Sequence, residues 1–172
     1  MLTVEQIIKH FGFKPLPVEG GLYVQTYRSP ETIPQAHLPA RYHSDRLYGT
    51  AILYLLTDDP DSFSALHKLP TDEVYHFYLG DPVELLQLAP DGTSEHIILG
   101  QDILDGQRVQ HVVPHDVWQG SRLVPGGCWA LLGTTMAPGY DDADYIGGER
   151  DALIRQYPHE ADLITLLTRL DS

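Results

Sequence analysis

A mainly β fold of sandwich or barrel type, with helix confined to the two ends, is what the sequence predicts. Thirteen prolines and fifteen glycines are spread along the 172 residues, and they cut the chain into segments too short for a helical bundle. Between these breaks, runs rich in Val, Ile, Leu, Tyr and Thr recur, as short strands require. The Asp91-Gly92 pair between Val83–Ala89 and Glu95–Leu99 is a strong hairpin signal. The chain reads as one domain, 1–172, with a β core at about 20–137 and helices at about 148–170.

Thr3 and Gln6 fit a capping box, and Val4, Ile7, Ile8 and Phe11 recur at helical spacing up to Gly12, so residues 3–11 form a short helix lying on a sheet. Phe13 to Val18 contains two prolines and reads as extended chain, ended by a Glu19-Gly20-Gly21 turn. Leu22 to Arg28 is the first strand. Residues 29–46 hold Pro30, Pro34 and Pro39 without a sustained period and read as a long loop, over the surface or along a partner subunit. His37 and His43 within it are expected to be solvated. Tyr48 to Leu56 is almost continuously apolar, the pattern of a strand buried on both faces.

Strands at Ser62–His67 and Glu73–Leu79 flank a bend, the Asp-Gly hairpin follows, and Gln107–Val113, Val117–Val124 and Cys128–Met136 bring the count to about nine or ten. Glu149–Tyr157 and His159–Leu170 are read as two C-terminal helices separated at Pro158. The single cysteine, Cys128, lies between Gly127 and Trp129 and reads as a small buried hydrophobe.

Eleven Lys and Arg against 24 Asp and Glu give a net charge of −13, which repels phosphate backbones and anionic lipid. Neither nucleic acid nor membrane is expected as a partner. The N-terminal Met1-Leu2-Thr3-Val4-Glu5-Gln6 lacks a basic stretch leading into an apolar one, and no run of some eighteen apolar residues occurs, so a cytoplasmic protein is expected.

His67 to Gly80 concentrates the groups able to carry chemistry. Alternation along a strand places Glu73, Tyr75 and Phe77 on one face and Val74, His76 and Tyr78 on the other. If the first set lines the interior, His76 is structural or lies at a subunit contact. An imidazole and a carboxylate brought together across a bend suit a divalent metal, or an acid and a base acting on one substrate. They also suit a simple hydrogen bond to each other or to the turn.

The order His67-x-Leu69-x3-Glu73-x6-Gly80 resembles the first motif of the cupin superfamily, in which two histidines two apart precede a glutamate and a turn glycine. Pro114-x-Asp116-x2-Gln119 lies where the second motif places proline, glycine and a third histidine. A closer resemblance is to the cupin-like family DUF985, or Cupin 5. It rests on Glu19-Gly20-Gly21, Thr26-Tyr27-Arg28-Ser29, Ile52 to Leu56, Ser64 and His67 with Asp72 to Tyr78, and Gly80-Asp81-Pro82. It continues through Val113-Pro114 and Val117-Trp118-Gln119 to Ala137-Pro138-Gly139-Tyr140. The resemblance implies a double-stranded β-helix, or jelly roll, with a pocket in the barrel, and a homodimer built by strand exchange or sheet packing. It implies a fold rather than a reaction, since better-understood cupins include sugar-nucleotide epimerases, metal-dependent isomerases and dioxygenases, and auxin-binding proteins.

Carried onto this chain, the four-ligand metal site of the superfamily is reduced to His67, Glu73 and the Gln119 amide, because Leu69 and Gln119 replace two histidines. No cofactor is therefore expected, and a divalent metal, if any, would sit weakly on those three residues. Three readings follow. The first is a metal-independent epimerase or isomerase acting on a sugar or sugar derivative, with His67 as general base or acid, Glu73 orienting it or sharing the proton work, Tyr75 as a wall and Gln119 hydrogen-bonding the substrate. The second is a weakly metal-binding isomerase or oxygenase. The third is a binding protein without turnover, whose ligand packs on Tyr27, Tyr75 and Trp118, although strand parity makes Trp118 a core or dimer contact instead. Arg28 at a strand end is expected to clamp a carboxylate or phosphate, or to form a surface ion pair, and Glu19 to stand near the pocket mouth.

Overall fold

The computed structural model describes residues 2–169. The chain opens with helix α1 (Val4–Phe11), in which the Thr3 hydroxyl accepts from Gln6 N–H while the Gln6 side chain accepts from Thr3 N–H, the capping box legible in the sequence. The strands then follow as β1 (Lys14–Pro15), β2 (Leu22–Arg28), β3 (Thr32–Ile33), β4 (Arg46–Leu47), β5 (Thr50–Thr57), β6 (Ser64–Lys68), β7 (Glu73–Gly80), β8 (Val83–Leu88), β9 (Ser94–Leu99), β10 (Gln110–Val113), β11 (Trp118–Leu123), β12 (Trp129–Met136) and β13 (Ile146–Gly147). Helices α2 (Arg150–Gln156) and α3 (Ala161–Leu166) close the chain.

Two antiparallel sheets carry the fold, one ordered β1-β2-β5-β12-β7-β10 and the other β13-β6-β11-β8-β9. From β5 to β8 the chain crosses from one sheet to the other at every step, which rolls the pair into a barrel and gives the jelly-roll order. Apolar side chains facing inward from both sheets, among them Leu56, Phe77, Leu85, Leu99 and Leu132, fill one end of the space between them. Each sheet is also covered outside. Ile7 of α1 and Phe13 pack on Leu55 and Leu131 of the six-stranded sheet, while Leu86 and Leu88 of the five-stranded sheet lie under Leu153, Tyr157 and Ile164 of the C-terminal segment. This layering explains the continuous apolar runs: Tyr54 and Leu56 face the barrel while Leu55 faces α1, and all three are buried.

Three expectations are corrected. Cys128 is exposed, because it ends a turn rather than beginning a strand, and its N–H donates to the Asp81 carboxylate at 2.6 Å. Residues 29–46 are not a plain loop. They contain β3, paired with β4, and a buried Tyr42 whose hydroxyl lies 2.7 Å from that of Thr71. His37 and His43 are exposed, as expected. The second C-terminal helix is shorter than its apolar pattern implied, since Pro158–Glu160 forms a 3-10 turn before α3; Leu170 lies outside the described residues.

One ion pair ties the chain together over a long separation. The Arg46 guanidinium meets Asp144 through both of its carboxylate oxygens, with Nε donating to Oδ2 at 2.8 Å, and stands over the Tyr42 ring, 5.5 Å from its centroid. Both side chains are almost wholly buried, at 2% and 6% exposure. The pair fixes the segment after β12 to the body of the barrel. Asp144→Ala strands the guanidinium and is expected to lower the free energy of unfolding by about 3 kcal/mol or more, measured by urea denaturation. An Arg46→Met/Asp144→Leu double variant removes both charges and is expected to regain most of that loss. Cys128 is expected to react stoichiometrically with a thiol reagent in the native protein, without denaturant.

Candidate functional site

The barrel end opposite the apolar plug opens into a cavity of about 410 Å³. Its walls change character with depth. Tyr54, His67, Glu73 and Tyr75 are buried at the inner end, and Arg28, Asp141 and Asp142 are exposed at the mouth.

His67 and Glu73 come from different sheets, β6 and β7, and face each other because the chain changes sheets across the bend between them. His67 is 1% exposed and is held in two ways. Its Nδ1 lies 2.8 Å from the Ala65 carbonyl, and its ring stacks on Tyr145 with centroids 5.0 Å apart and planes 18° from parallel. A carbonyl oxygen can only accept, so Nδ1 carries a proton, and it is Nε2 that holds the lone pair whenever the ring is uncharged.

Glu73 is 7% exposed, and its carboxylate accepts a 2.7 Å hydrogen bond from the Gln119 amide. Burial pushes its pKa above the ordinary glutamate value of 4.5. The nearby His67 works against that shift, Glu19 adds to it, and hydrogen bonds from Thr134 and Gln119 reduce it. Burial prevails, so the group holds its proton closer to neutrality than a solvated carboxyl does. Tyr54 and Tyr75, buried beside it, have phenol pKa values raised well above 10.0, again by burial first, and stay neutral.

The Glu19-Gly20-Gly21 turn positions a further carboxylate of the lining. The Glu19 carbonyl accepts from Ala65 N–H at 2.9 Å and its Oε1 accepts from the Ser64 hydroxyl at 2.7 Å, so Glu19 is fastened to the start of β6. Gly20 and Gly21 have φ of +101° and +67°, and a Cβ on Gly21 would come within 2.5 Å of the Tyr54 hydroxyl, which itself donates to the Gly20 carbonyl at 2.8 Å. Only glycine fits this approach.

Of the residues singled out from sequence, Glu19, Arg28, His67, Glu73 and Tyr75 line the cavity. Strand parity holds for Glu73, Tyr75 and Phe77, since the irregularity in the β7–β12 pairing falls beyond Phe77. Tyr27 is not in the lining: it is 53% exposed, next to a register shift between β2 and β5. Gln119 lies behind Glu73 rather than on the cavity wall, and the structure assigns its amide to Glu73 instead of to a bound molecule. Trp118 packs against the core under the C-terminal helices. Sequence reasoning missed Tyr54, Thr134, Tyr140, Asp141 and Asp142, all in the lining, and Tyr145 against His67. For Tyr54 a signal existed, the alternation within the run Ile52 to Leu56; the others depend on where the segment after β12 returns.

The metal donors of the cupin motif are His67 Nε2 and a Glu73 oxygen. Leu69, at 4% exposure, places a hydrocarbon where a ligand would stand. Gln119 turns its N–H toward Glu73, while its own carbonyl oxygen is buried without a hydrogen-bond partner among the described residues. No group of three His, Cys, Asp or Glu side chains is arranged to hold a metal ion among the described residues. Two donors and an amide turned the wrong way do not fit a tightly held divalent metal.

No helix among the described residues is long and apolar enough to cross a membrane. An uncharacterized protein of Saccharomyces cerevisiae is 31% identical over 150 residues, spanning 81% of this chain and 69% of the yeast protein. A crystal structure of a Shewanella oneidensis protein superposes with a TM-score of 0.85 at 28% identity, covering 99% of this chain and 100% of that one. The L-ribose isomerase of Cellulomonas parahominis, solved with L-psicose, has a TM-score of 0.52 at 12% identity over 75% of this chain and 69% of its own, a likeness of fold alone. The family profile described as Cupin superfamily (DUF985), Cupin_5, matches residues 5–146. With that match spanning most of a jelly-roll chain, the protein belongs to the Cupin_5 family of the cupin superfamily.

Proposed function

We propose that the barrel pocket binds a small polar molecule and works as a metal-independent epimerase or isomerase on a sugar or sugar derivative. One observation carries this reading. His67, with Nδ1–H committed to the Ala65 carbonyl, turns Nε2 toward a cavity shared with a buried glutamate that holds its proton unusually well. An imidazole with a free Nε2 facing a carboxyl whose proton is held more tightly than in water is the pairing that base and acid roles on one substrate require.

The chemistry follows from those two states. His67 Nε2 takes the proton from the carbon next to the sugar carbonyl, and the C–H electron pair moves into the new carbon–carbon double bond. The carbonyl π pair moves onto oxygen, which the Glu73 carboxyl protonates. Return of the proton from His67 to the former carbonyl carbon, with the hydroxyl proton of the adjacent carbon passing to Glu73 as the new carbonyl forms there, completes an isomerisation and restores both groups. In an epimerisation the enediol is reprotonated on its opposite face by solvent, to which His67 releases its proton, and Glu73 takes its proton back from the same oxygen as the original carbonyl reforms. Gln119 acts as a positioning residue through its bond to Glu73. A homodimer, resting on the family resemblance, and a cytoplasmic location remain part of this proposal.

Two measurements test it. Bound sugars incubated with the protein in deuterium oxide are expected to gain deuterium beside the carbonyl, read by NMR, and His67→Ala is expected to slow that exchange by about 100-fold or more. Exchange that is absent for a bound sugar would instead favour a binding protein without turnover. The second concerns Glu73. Its folded pKa lies above its unfolded value, so the unfolded chain loses the proton first and stability falls as pH rises from 4.5 through the folded value. Glu73→Gln has no proton to lose and is expected to melt above wild type at pH 7, with the advantage vanishing by about pH 4. A Tm difference that does not change with pH would contradict the raised pKa.

A further inference from the structure

Among the described residues, three carboxylates besides the Glu73 carboxyl line the cavity, Glu19, Asp141 and Asp142, against one guanidinium, Arg28, and no lysine. Arg28 is exposed at the mouth, where Asp141 and Asp142 also stand. Building on the sugar reading above, we infer that the pocket selects a free, unphosphorylated sugar over a sugar phosphate or a nucleotide-linked sugar.

The argument begins with what phosphate recognition needs. A phosphate ester brings about two negative charges, and proteins receive it with clustered Arg or Lys, or with backbone N–H groups at a helix N-terminus or nest. Here one arginine faces an excess of carboxylates. The whole chain, at −13, adds a repulsive field in the same direction.

A free sugar needs the opposite equipment. Its hydroxyl groups donate to acceptor-only carboxylates, and its C–H faces pack on aromatic rings. Glu19, held by the Ser64 hydroxyl, leaves Oε2 for such a contact. Tyr23, Tyr54, Tyr75 and Tyr140 supply ring surface in the same cavity. Size agrees. At about 410 Å³, the cavity stands near the lower end of the roughly 300–1,000 Å³ typical of small-molecule pockets, which suits one sugar ring better than a sugar with a nucleoside diphosphate attached.

The discrimination resides at the mouth. Asp141 and Asp142 lie on the segment that the Arg46–Asp144 pair fixes to the barrel, so their charges are held over the entrance. Asp142 is close enough to Tyr140 to add to the rise that burial gives its phenol pKa.

The full chain is titrated with a panel of aldopentoses and aldohexoses, with glucose 6-phosphate and ribose 5-phosphate, and with UDP-glucose, using calorimetry and saturation-transfer NMR. Free sugars are expected to bind at least tenfold more tightly than their phosphates. In the Asp141→Asn/Asp142→Asn variant that gap is expected to narrow by at least threefold through tighter phosphate binding. Phosphates binding as well as or better than free sugars overturn the inference and leave the sugar reading standing. A gap unchanged in the double variant overturns the role given to these two aspartates. Binding by neither class overturns the sugar reading and the inference together.

Discussion

A carboxyl group inside a β barrel is the constraint around which the rest of this structure is arranged. Placing an ionisable group in a dry interior is costly unless its oxygens are hydrogen-bonded and its charge has an answer nearby. Glu73 receives both from the opposite sheet: the Gln119 amide donates to it at 2.7 Å and His67 stands beside it. Gln119 and His67 are partners in the β6–β11 register, so one pair of neighbours on the five-stranded sheet serves one residue on the six-stranded sheet. The two sheets are thereby joined at their polar end by specific bonds, whereas at the other end they are joined by hydrocarbon. The replacement of a superfamily histidine by Gln119 follows the same logic. An amide donates to a carboxylate without sharing a cation with it.

The polar end also decides which parts of the site could be read from the sequence. Alternation along β7 is a local property, and it put Glu73 and Tyr75 on one face without knowledge of any other strand; their burial makes that face the inner one. The capping box at Thr3 and the doubly covered strand at Tyr54 to Leu56 were legible for the same reason, since spacing alone carries them. Tyr145 stacks on a residue 78 positions earlier, and Asp144 pairs with one 98 positions earlier. No periodicity records such meetings. They depend on where the chain after β12 returns, and that is set by the closure of the barrel. Tyr27, singled out through the family resemblance and not through spacing, stands outside the lining beside a register shift between β2 and β5, which interrupts strand alternation there. Cys128 failed because an apolar run does not announce where a turn stops and a strand begins.

The same long-range contacts give the site its order. His67 has its backbone in β6, its Nδ1 on the Ala65 carbonyl and its ring against Tyr145, so strand, tautomer and ring plane are each fixed by a separate contact. An imidazole held in one tautomer and one ring plane keeps Nε2 aimed at the cavity without reorienting. Tyr145 can do this only because Asp144, the residue before it, is anchored by Arg46 on β4, in a region that the sequence suggested was loop. Stability and chemistry are thus coupled through adjacent residues: the buried ion pair holds the backbone of the segment, and the ring beside it holds the histidine. The strap after β12 is as much a part of the site as the two strands carrying His67 and Glu73, because it covers one face of the imidazole and sets the charge of the entrance in a single short stretch of chain.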